Sequence, residues 1–448
     1  MPASPQVPDA PELLVLTHIQ AIDPGSGLDA VVDIVVEQGR ITRVGRGAAT
    51  EELRRAGHVL DGTGLWALPA FVDLHAHLRE PGEEYKEDVA SGLAAAAAGG
   101  FAHVCCMPNT KPVNDTRAVT EAILARAAAV GGVALHPIGA ITRKLEGHEL
   151  TEMADLRDAG AVAVSDDGRC VGSSAVMRRA LEYARTFDLP VIQHAEDHAL
   201  TEGAQMHDGP TATRLGLRGW PRVAEDVIVA RDVLLAEATG ARYHVAHVSS
   251  AGAVRILREA KSRGLRVTAE VTPHHLMLTD EAVLGYETAC KVNPPLREAR
   301  DRQALREALA DGTIDAIATD HAPHSSLEKE VEFALASPGM IGLELVVPLL
   351  LDLVRQGALP LSRLVDALTR APARIVGLEA PAIAIGRRAE LAIVAPERRY
   401  KLEGLRSKSR NTPFWGQEVV GAVELTLAGG RVVYRRAPAA GSSGAEAR

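Results

Sequence analysis

The amino-acid sequence predicts an α/β protein: a (β/α)8 barrel of the TIM type with a small β-sandwich-like module built from both chain ends. Its 448 residues are enough for a large barrel and an accessory module. Apolar strands alternate with Ala- and Leu-rich helical segments in the middle of the chain, and β patterns occupy both ends. A doubly wound open sheet is less favoured, because no Gly-x-Gly-x-x-Gly follows an early strand.

The two ends of the chain carry the predicted β module. In residues 12–66, short apolar runs alternate with glycine-containing turns, which is an antiparallel β pattern. The same pattern returns in residues 385–436, so we expect one module assembled from both segments. Residues 1–11 are rich in proline and alanine and residues 437–448 are of low complexity, so both are predicted to be disordered.

Residues 67–384 are predicted to form the catalytic barrel. Helix-like segments lie between its strands, as in residues 85–98 and 224–239. Parallel strands joined by crossover helices over this length are typical of a (β/α)8 barrel. The eight strand candidates are 68–77, 101–109, 133–142, 161–167, 190–196, 243–249, 266–273 and 314–324.

Composition excludes several classes of protein. The net charge of -9 argues against a nucleic-acid or anionic-membrane partner. No apolar run is long enough to span a membrane, and the first residues lack the pattern of a signal peptide. The four cysteines form no Cys-x-x-Cys pair, so we expect reduced, buried thiols in a cytoplasmic protein.

Polar residues gather where the predicted strands end. His75 and His77 close the first strand, and side chains two residues apart on a strand point to the same face. Active sites of barrels lie at the carboxyl ends of the strands. Four histidines and at least two aspartates would meet at this mouth, although each histidine taken alone is more often a packed or supporting residue. The candidates are His75, His77, Asp166 or Asp167, His194, His247 and Asp320.

This set of residues is suited to two metal ions bridged by a carboxylate. Imidazole and carboxylate ligands without thiolate indicate zinc, with manganese or cobalt as alternatives. Two metals about 3.5–4 Å apart can activate a shared hydroxide and polarise a carbonyl group. Spacing alone leaves Asp166 and Asp167 open as the bridge, since either could instead support a ligand or cap a helix.

Six motifs resemble those of the dihydroorotase family in the amidohydrolase superfamily, and the resemblance extends over about residues 14–434. Val72-Asp73-Leu74-His75-Ala76-His77-Leu78-Arg79-Glu80-Pro81-Gly82 is similar to the first family signature. Ala318-Thr319-Asp320-His321-Ala322-Pro323-His324 is similar to the second. The other four matching motifs are residues 106–110, 166–168, 291–297 and 408–413.

The resemblance implies a ligand for every metal position. His75, His77 and Asp320 would hold one Zn²⁺ ion, His194 and His247 the other, and Asp167 would bridge the two. Many superfamily members bridge their metals with a carboxylated lysine at the end of strand four. Residues 161–167 contain no lysine, which is similar to the branch of the family with an aspartate bridge.

The resemblance also implies the reaction: reversible cyclisation of N-carbamoyl-L-aspartate to (S)-dihydroorotate and water, the third step of de novo pyrimidine (UMP) synthesis. A metal-bridging hydroxide would attack the ring amide, with Asp320 as general acid and base. Arg79, Asn109 and His324 would hold the substrate carboxylate, since arginine can bind carboxylates bidentately. The remaining substrate-binding residues would be His77, Asn293 and the backbone of Pro338 and Gly339.

Alternatives remain open from the sequence. Arg79 could pair with Glu80 or Glu83, Asn109 could cap its loop, and His324 could support a neighbour. The protein could be another cyclic-amide hydrolase, such as a dihydropyrimidinase, hydantoinase or allantoinase. It could also be a non-catalytic partner of aspartate carbamoyltransferase. We expect a homo-oligomer, a possible association with aspartate carbamoyltransferase, and a mobile loop over residues 325–340.

Overall fold

The computed structural model describes residues 12–437. The predicted disordered segment 1–11 lies outside the described residues, as does all of the predicted tail except Ala437. Two eight-stranded sheets dominate the described chain, one of them antiparallel for the most part and the other parallel. The predicted fold class, a (β/α)8 barrel with a β module from both chain ends, is confirmed.

The module sheet combines five strands from the N-terminal part with three from the C-terminal part. Strand Trp66–Pro69 joins the two parts, because it pairs in parallel with Leu13–Asp23 and antiparallel with Leu391–Lys401. Alternating apolar residues of both parts pack into a core of their own. The other strands are Leu28–Glu37, Arg40–Gly45, His58–Asp61, Glu418–Ala428 and Arg431–Arg435.

The barrel strands follow one another in the sheet in chain order, and every pair is parallel. The sheet closes between the last and first strands, where the His77 amide donates to the carbonyl of His321 over 2.8 Å. The strands are Phe71–Ala76, Phe101–Cys106, Ala134–Gly139, Ala163–Ser165, Val191–Gln193, Tyr243–Val245, Val267–Val271 and Ala316–Ile317.

Each barrel strand is shorter than its predicted range. Residues 66–69 belong to the module sheet, so the first barrel strand begins only at Phe71. The other strands end before the polar residues that close each predicted range, because those residues leave the strand ladder to face the barrel mouth. Most functional side chains therefore lie on the first residues of the loops that follow the strands, while His75 lies within the first strand.

Helices cover the outside of the barrel and build its loops. Most crossover helices bury one apolar face, as Ser174–Arg185 does with Met177 and Leu181. No helix of residues 12–437 is both long and apolar enough to cross a membrane. The α-helices are Glu51–Ala56, Val89–Gly99, Arg117–Val130, Met153–Asp158, Ser174–Arg185, His198–Thr201, Pro210–Leu215, Val223–Thr239, Ala251–Ser262, Pro273–Met277, Ala299–Asp311, Ser326–Lys329, Val346–Arg355, Leu361–Leu368 and Arg370–Ile375.

Candidate metal centre

Asp167 lies at the centre of the barrel mouth, buried among four imidazoles. Its Oδ1 atom is 3.3 Å from His75 Nε2, 3.4 Å from His247 Nε2 and 3.7 Å from His194 Nδ1. Its Oδ2 atom is 3.5 Å from His77 Nε2. The strands thus bring the four predicted histidines around one carboxylate, with one oxygen toward three of them and the other toward the fourth.

The first two histidines are oriented by hydrogen bonds on their Nδ1 atoms. His75 Nδ1 lies 2.9 Å from Glu270 Oε1, and His77 Nδ1 lies 2.9 Å from Asn109 Oδ1. Both partners are acceptors, so each Nδ1 carries the proton and each Nε2 is left with a free lone pair. These Nε2 atoms face Asp320 Oδ1 at 3.5 and 3.2 Å.

The second pair of histidines faces the same carboxylate, Asp167. His194 Nδ1 and His247 Nε2 are 3.0 Å apart, and both face the carboxylate. His194 Nε2 donates to Glu196 Oε2 over 2.9 Å, which leaves Nδ1 as the atom with a free lone pair. A carboxylate behind an imidazole in this way fixes the tautomer and raises the basicity of a metal ligand.

The neighbouring carboxylate, Asp166, faces away from this cluster. Its Oδ1 atom accepts hydrogen bonds from the amides of Ile141 and Thr142, both at 2.9 Å, and Oδ2 accepts one from the Thr142 hydroxyl. Burial raises the pKa of Asp166 to about 6, against the effect of these donors. Asp166 therefore ties the end of strand four to that of strand three, and Asp167 alone of the two faces the imidazoles.

The electrostatics of the cluster favour positive charge at its centre. Burial disfavours the ionised form of Asp167, but the imidazoles of His75, His194 and His247 outweigh it, so the pKa of Asp167 lies well below its usual value. Burial likewise opposes protonation of His194, yet Asp167 and Glu196 raise its pKa to about 10. These carboxylates hold protons on the imidazoles that a bound cation would displace.

The residues fit a metal centre. Potential ligand atoms of His75, His77 and Asp320 lie within 4.8 Å of one another, and so do those of His75, Asp167 and His247. His75 Nε2 belongs to both groups, is buried, and has no hydrogen-bond partner. Buried polar atoms are rarely left without a partner, so this nitrogen is explained by a ligand that the site would hold. Imidazole and carboxylate donors without thiolate suit zinc or a similar divalent metal.

Arg79 lies buried beside the cluster without a carboxylate partner. Its Nε donates to the carbonyl of Pro323 over 3.2 Å, and its Nη2 lies 3.4 Å from His324 Nε2. The two acids that sequence reasoning offered as partners are bound elsewhere: Glu80 contacts Arg126, and Glu83 contacts two lysines. Within the described chain, no carboxylate oxygen is within 4.0 Å of the Arg79 guanidinium.

The other predicted substrate-binding residues border the same space. Asn293 donates to Glu196 Oε2 over 3.3 Å, and its buried Oδ1 has no partner. His324 Nε2 donates to the carbonyl of Pro338 over 2.9 Å. Gly339 uses its amide on the carbonyl of Lys291, and its own carbonyl accepts from Asn411 Nδ2 over 3.0 Å. The Oδ1 atom of Asn109 accepts from His77 Nδ1, and the Nδ2 atom of Asn109 has no hydrogen-bond partner among residues 12–437.

Sequence reasoning missed Glu270, the acid that orients His75. Glu270 lies in the buried strand Val267–Val271 and also accepts from His244 Nε2 at 3.2 Å. A glutamate among valines and alanine in a predicted buried strand is the signal that could have revealed it, since a buried carboxylate requires partners. His275 is structural, bonded to Thr272 and to the carbonyl of Pro294.

Comparison with known proteins agrees with this geometry. The sequence model of the family described as "Dihydro-orotase-like" matches residues 64–253. The chain is 54% identical over 432 residues to the dihydroorotase of Anaeromyxobacter dehalogenans, covering 96% of this chain and 99% of that protein. It is 52% identical over 420 residues to the dihydroorotase of Syntrophobacter fumaroxidans, covering 93% of this chain and 96% of the relative.

Solved structures share the architecture. The L-hydantoinase (dihydropyrimidinase) of Arthrobacter aurescens superposes with a TM-score of 0.83 at 25% identity, covering 94% of this chain and 96% of that one. A dihydropyrimidinase from Brevibacillus agri gives a TM-score of 0.78 at 22% identity, covering 94% and 95%. The second similarity supports the fold alone.

Proposed function

Because the chain belongs to the dihydroorotase family, we propose that it is a zinc-dependent hydrolase of cyclic amides that interconverts N-carbamoyl-L-aspartate and (S)-dihydroorotate. We also propose that this reaction is the third step of pyrimidine synthesis and takes place in the cytoplasm. The identity to curated dihydroorotases over nearly the full length supports the activity. Association with aspartate carbamoyltransferase and assembly into a homo-oligomer stay predictions.

The observation that carries the substrate assignment is the unpaired guanidinium of Arg79. Burial lowers the pKa of Arg79, with the Glu83 carboxylate opposing this effect, yet arginine stays charged at neutral pH. A buried cation without a counter-ion costs free energy, and an anionic group bound beside it would offset that cost. Dihydroorotate and carbamoyl-aspartate both carry a carboxylate that could supply it.

We propose that two zinc ions bind, one with His75, His77 and Asp320 and the other with His194 and His247, and that Asp167 is shared between them. When bound, zinc would polarise the amide carbonyl and lower the pKa of water. A proton on the ring nitrogen that faces a metal would be displaced on binding, while Glu270, Asn109 and Glu196 would keep the other proton on the opposite ring nitrogens of His75, His77 and His194.

The chain's own residues orient the substrate and transfer the proton. Arg79 would bind the carboxylate, with His324 beside it. The Oδ1 atom of Asn293, which is buried and has no partner, would accept from an N–H of the ring. The Asp320 carboxylate is ionised, because the charges of His75 and His77 lower its pKa against the effect of burial. It would take the proton from the attacking water and return it to the leaving ring nitrogen.

A substrate comparison tests the assignment directly. The purified protein, supplied with zinc, should hydrolyse dihydroorotate and cyclise carbamoyl-aspartate, and it should act far more slowly on dihydrouracil, hydantoin and allantoin. The latter three lack the carboxylate that Arg79 would bind. Faster turnover of dihydrouracil or hydantoin than of dihydroorotate would instead support the dihydropyrimidinase or hydantoinase alternative.

Substitution of Arg79 tests the carboxylate site. Arg79→Met should raise KM for carbamoyl-aspartate roughly 10- to 100-fold, since a hydrogen bond to a charged group contributes about 1.5–3 kcal/mol. Arg178→Met is the matched control, because Arg178 is exposed and pairs with Glu182 on its own helix. Steady-state kinetics decide, and an unchanged KM in the Arg79 variant would mean that the carboxylate binds elsewhere.

A further inference from the structure

Lys329 is buried in the loop that carries Pro338 and Gly339, although the residues on both sides of it are not buried. Its side chain is only 5% exposed. The ammonium group donates to three main-chain carbonyls: those of Ser337 at 2.8 Å, Gly339 at 3.1 Å and Lys291 at 3.3 Å. Two of the three belong to the far end of the same loop, and the third to the neighbouring 291–297 segment.

We propose that Lys329 is a positioning residue, whose buried ammonium closes the 325–340 loop and fixes the Pro338–Gly339 backbone against the substrate site. The role in binding rests on the proposed function. Among residues 12–437, no carboxylate oxygen is within 4.0 Å of its Nζ. The carbonyl dipoles are therefore what compensates the charge, and they converge on Nζ only while the loop is closed.

The position that Lys329 fixes is connected to Arg79. The carbonyl of Pro338 accepts from His324 Nε2, and the same nitrogen contacts Arg79 Nη2 at 3.4 Å. Gly339 donates its amide to the Lys291 carbonyl that Lys329 also binds. A shift of the loop end would therefore move His324 and leave Arg79 less well placed for a carboxylate.

Glu328, the residue before Lys329, connects the start of the loop to residues 85 and 86. Glu328 accepts from Lys86 Nζ at 2.8 Å and from the Tyr85 hydroxyl at 3.3 Å. Helix Ser326–Lys329 has only four residues, too few to be stable without such contacts. Glu328 thus holds the start of the loop against the 85–86 segment. Lys329 holds the end of the loop, at Ser337 and Gly339, against that start.

Titration of Lys329 gives the wild-type protein a test of its own. Burial lowers the pKa of Lys329 to about 8, and the Lys291 ammonium acts in the same direction. Cys290, Glu287 and Glu328 act in the opposite direction. A lysine exposed by loop opening would regain its usual pKa of 10.5, so closure releases a proton and the closed loop should become more stable as pH rises above about 8.

The experiment compares Lys329→Met with the wild type and with Lys401→Met. Lys401 is an exposed lysine of the β module that pairs with Glu403, so its variant controls for loss of a lysine. In Lys329→Met, KM for carbamoyl-aspartate should rise at least about tenfold, the effect of one charge-assisted hydrogen bond. We expect kcat to change much less, and metal content to stay unchanged.

A second measurement needs no turnover. A glutamate-specific protease should cleave the loop after the exposed Glu330 and Glu332 several times faster in Lys329→Met than in either other protein. Equal KM and equal cleavage in a folded variant would overturn the proposal. The wild type could show no turnover of carbamoyl-aspartate while Lys329→Met is still cleaved faster than the wild type. That result would contradict the proposed function and support the role of Lys329 in closing the loop.

If Lys329→Met does not fold, the wild type decides. Its loop cleavage, normalised to a free glutamyl peptide at each pH, should slow between pH 7 and pH 9, because closure releases the Lys329 proton in this range. A rate that stays constant over this range would overturn the proposal, since burial of Lys329 would then not be coupled to closure of the loop.

Discussion

Replacement of Asp320 by alanine is expected to lower kcat for carbamoyl-aspartate cyclisation by roughly 10²- to 10⁴-fold, the range that a positioned acid or base contributes. Its carboxylate lies 3.2 Å from His77 Nε2 and 3.5 Å from His75 Nε2. The group thus lies beside two of the proposed metal ligands, where a proton could be taken from a water held at the metal centre.

Asp320→Asn separates the two roles of this side chain. An amide keeps the size of the side chain and one oxygen, so it can still accept contacts at the metal centre, but it cannot take up a proton. We expect this variant to retain most of its metal and to lose turnover nearly as completely as Asp320→Ala. Metal analysis and kinetics on one preparation measure both quantities.

Asp311→Asn is the control for this pair of variants. Asp311 pairs with Arg258 at 2.8 Å, and both side chains are about half exposed. Its replacement should leave kcat unchanged. Turnover of Asp320→Asn at the rate of this control would exclude Asp320 as the acid and base.

The barrel could be predicted because its signals are local. Each strand is a short apolar run, each crossover helix is rich in alanine and leucine, and the polar residues follow the strands directly. His75 and His77 could be placed on one face from spacing alone, since strand geometry sets the direction of alternate side chains. Their Nε2 atoms indeed face the same oxygen, Oδ1 of Asp320.

The strand ends could not be predicted because tertiary contacts decide them. Arg79, His247 and Asp320 have positive φ angles of 61°, 30° and 44°, a conformation that residues other than glycine rarely adopt. No local pattern indicates such a turn. Before Asp320, the Thr319 amide donates to Asp73 Oδ1 at 2.9 Å. This contact joins the first barrel strand to the segment that follows the last one.

The partners of the site residues depend on long-range contacts too. Glu270 is 195 residues from His75, and Asn411 is 87 residues from His324. Lys329 is a further example. The charged residues around it predict a mobile loop over residues 325–340. No local pattern indicates that its side chain is buried, because two of the carbonyls that it binds, those of Ser337 and Gly339, lie at the far end of the loop and the third, that of Lys291, in another segment.

Asp167→Asn should lower kcat on the order of 10³-fold, because the shared carboxylate supports both proposed metals and metal catalysis contributes several kcal/mol. The reason lies in its four imidazole neighbours. An amide offers them one oxygen without charge, where the carboxylate offers two oxygens and a full negative charge. We expect metal content to fall below two ions per chain, measured by elemental analysis after gel filtration.

Asp166→Asn is the matched control, since it differs by one position and carries the same change. Asp166 binds the end of strand three through Ile141 and Thr142. Its variant should keep its metal and lose about 1–3 kcal/mol of unfolding free energy, the cost of weakening a buried hydrogen-bonded group. The reverse result, with metal lost from Asp166→Asn and retained in Asp167→Asn, would assign the bridge to Asp166. Denaturant unfolding and metal analysis of the two variants therefore decide a question that spacing in the sequence leaves open.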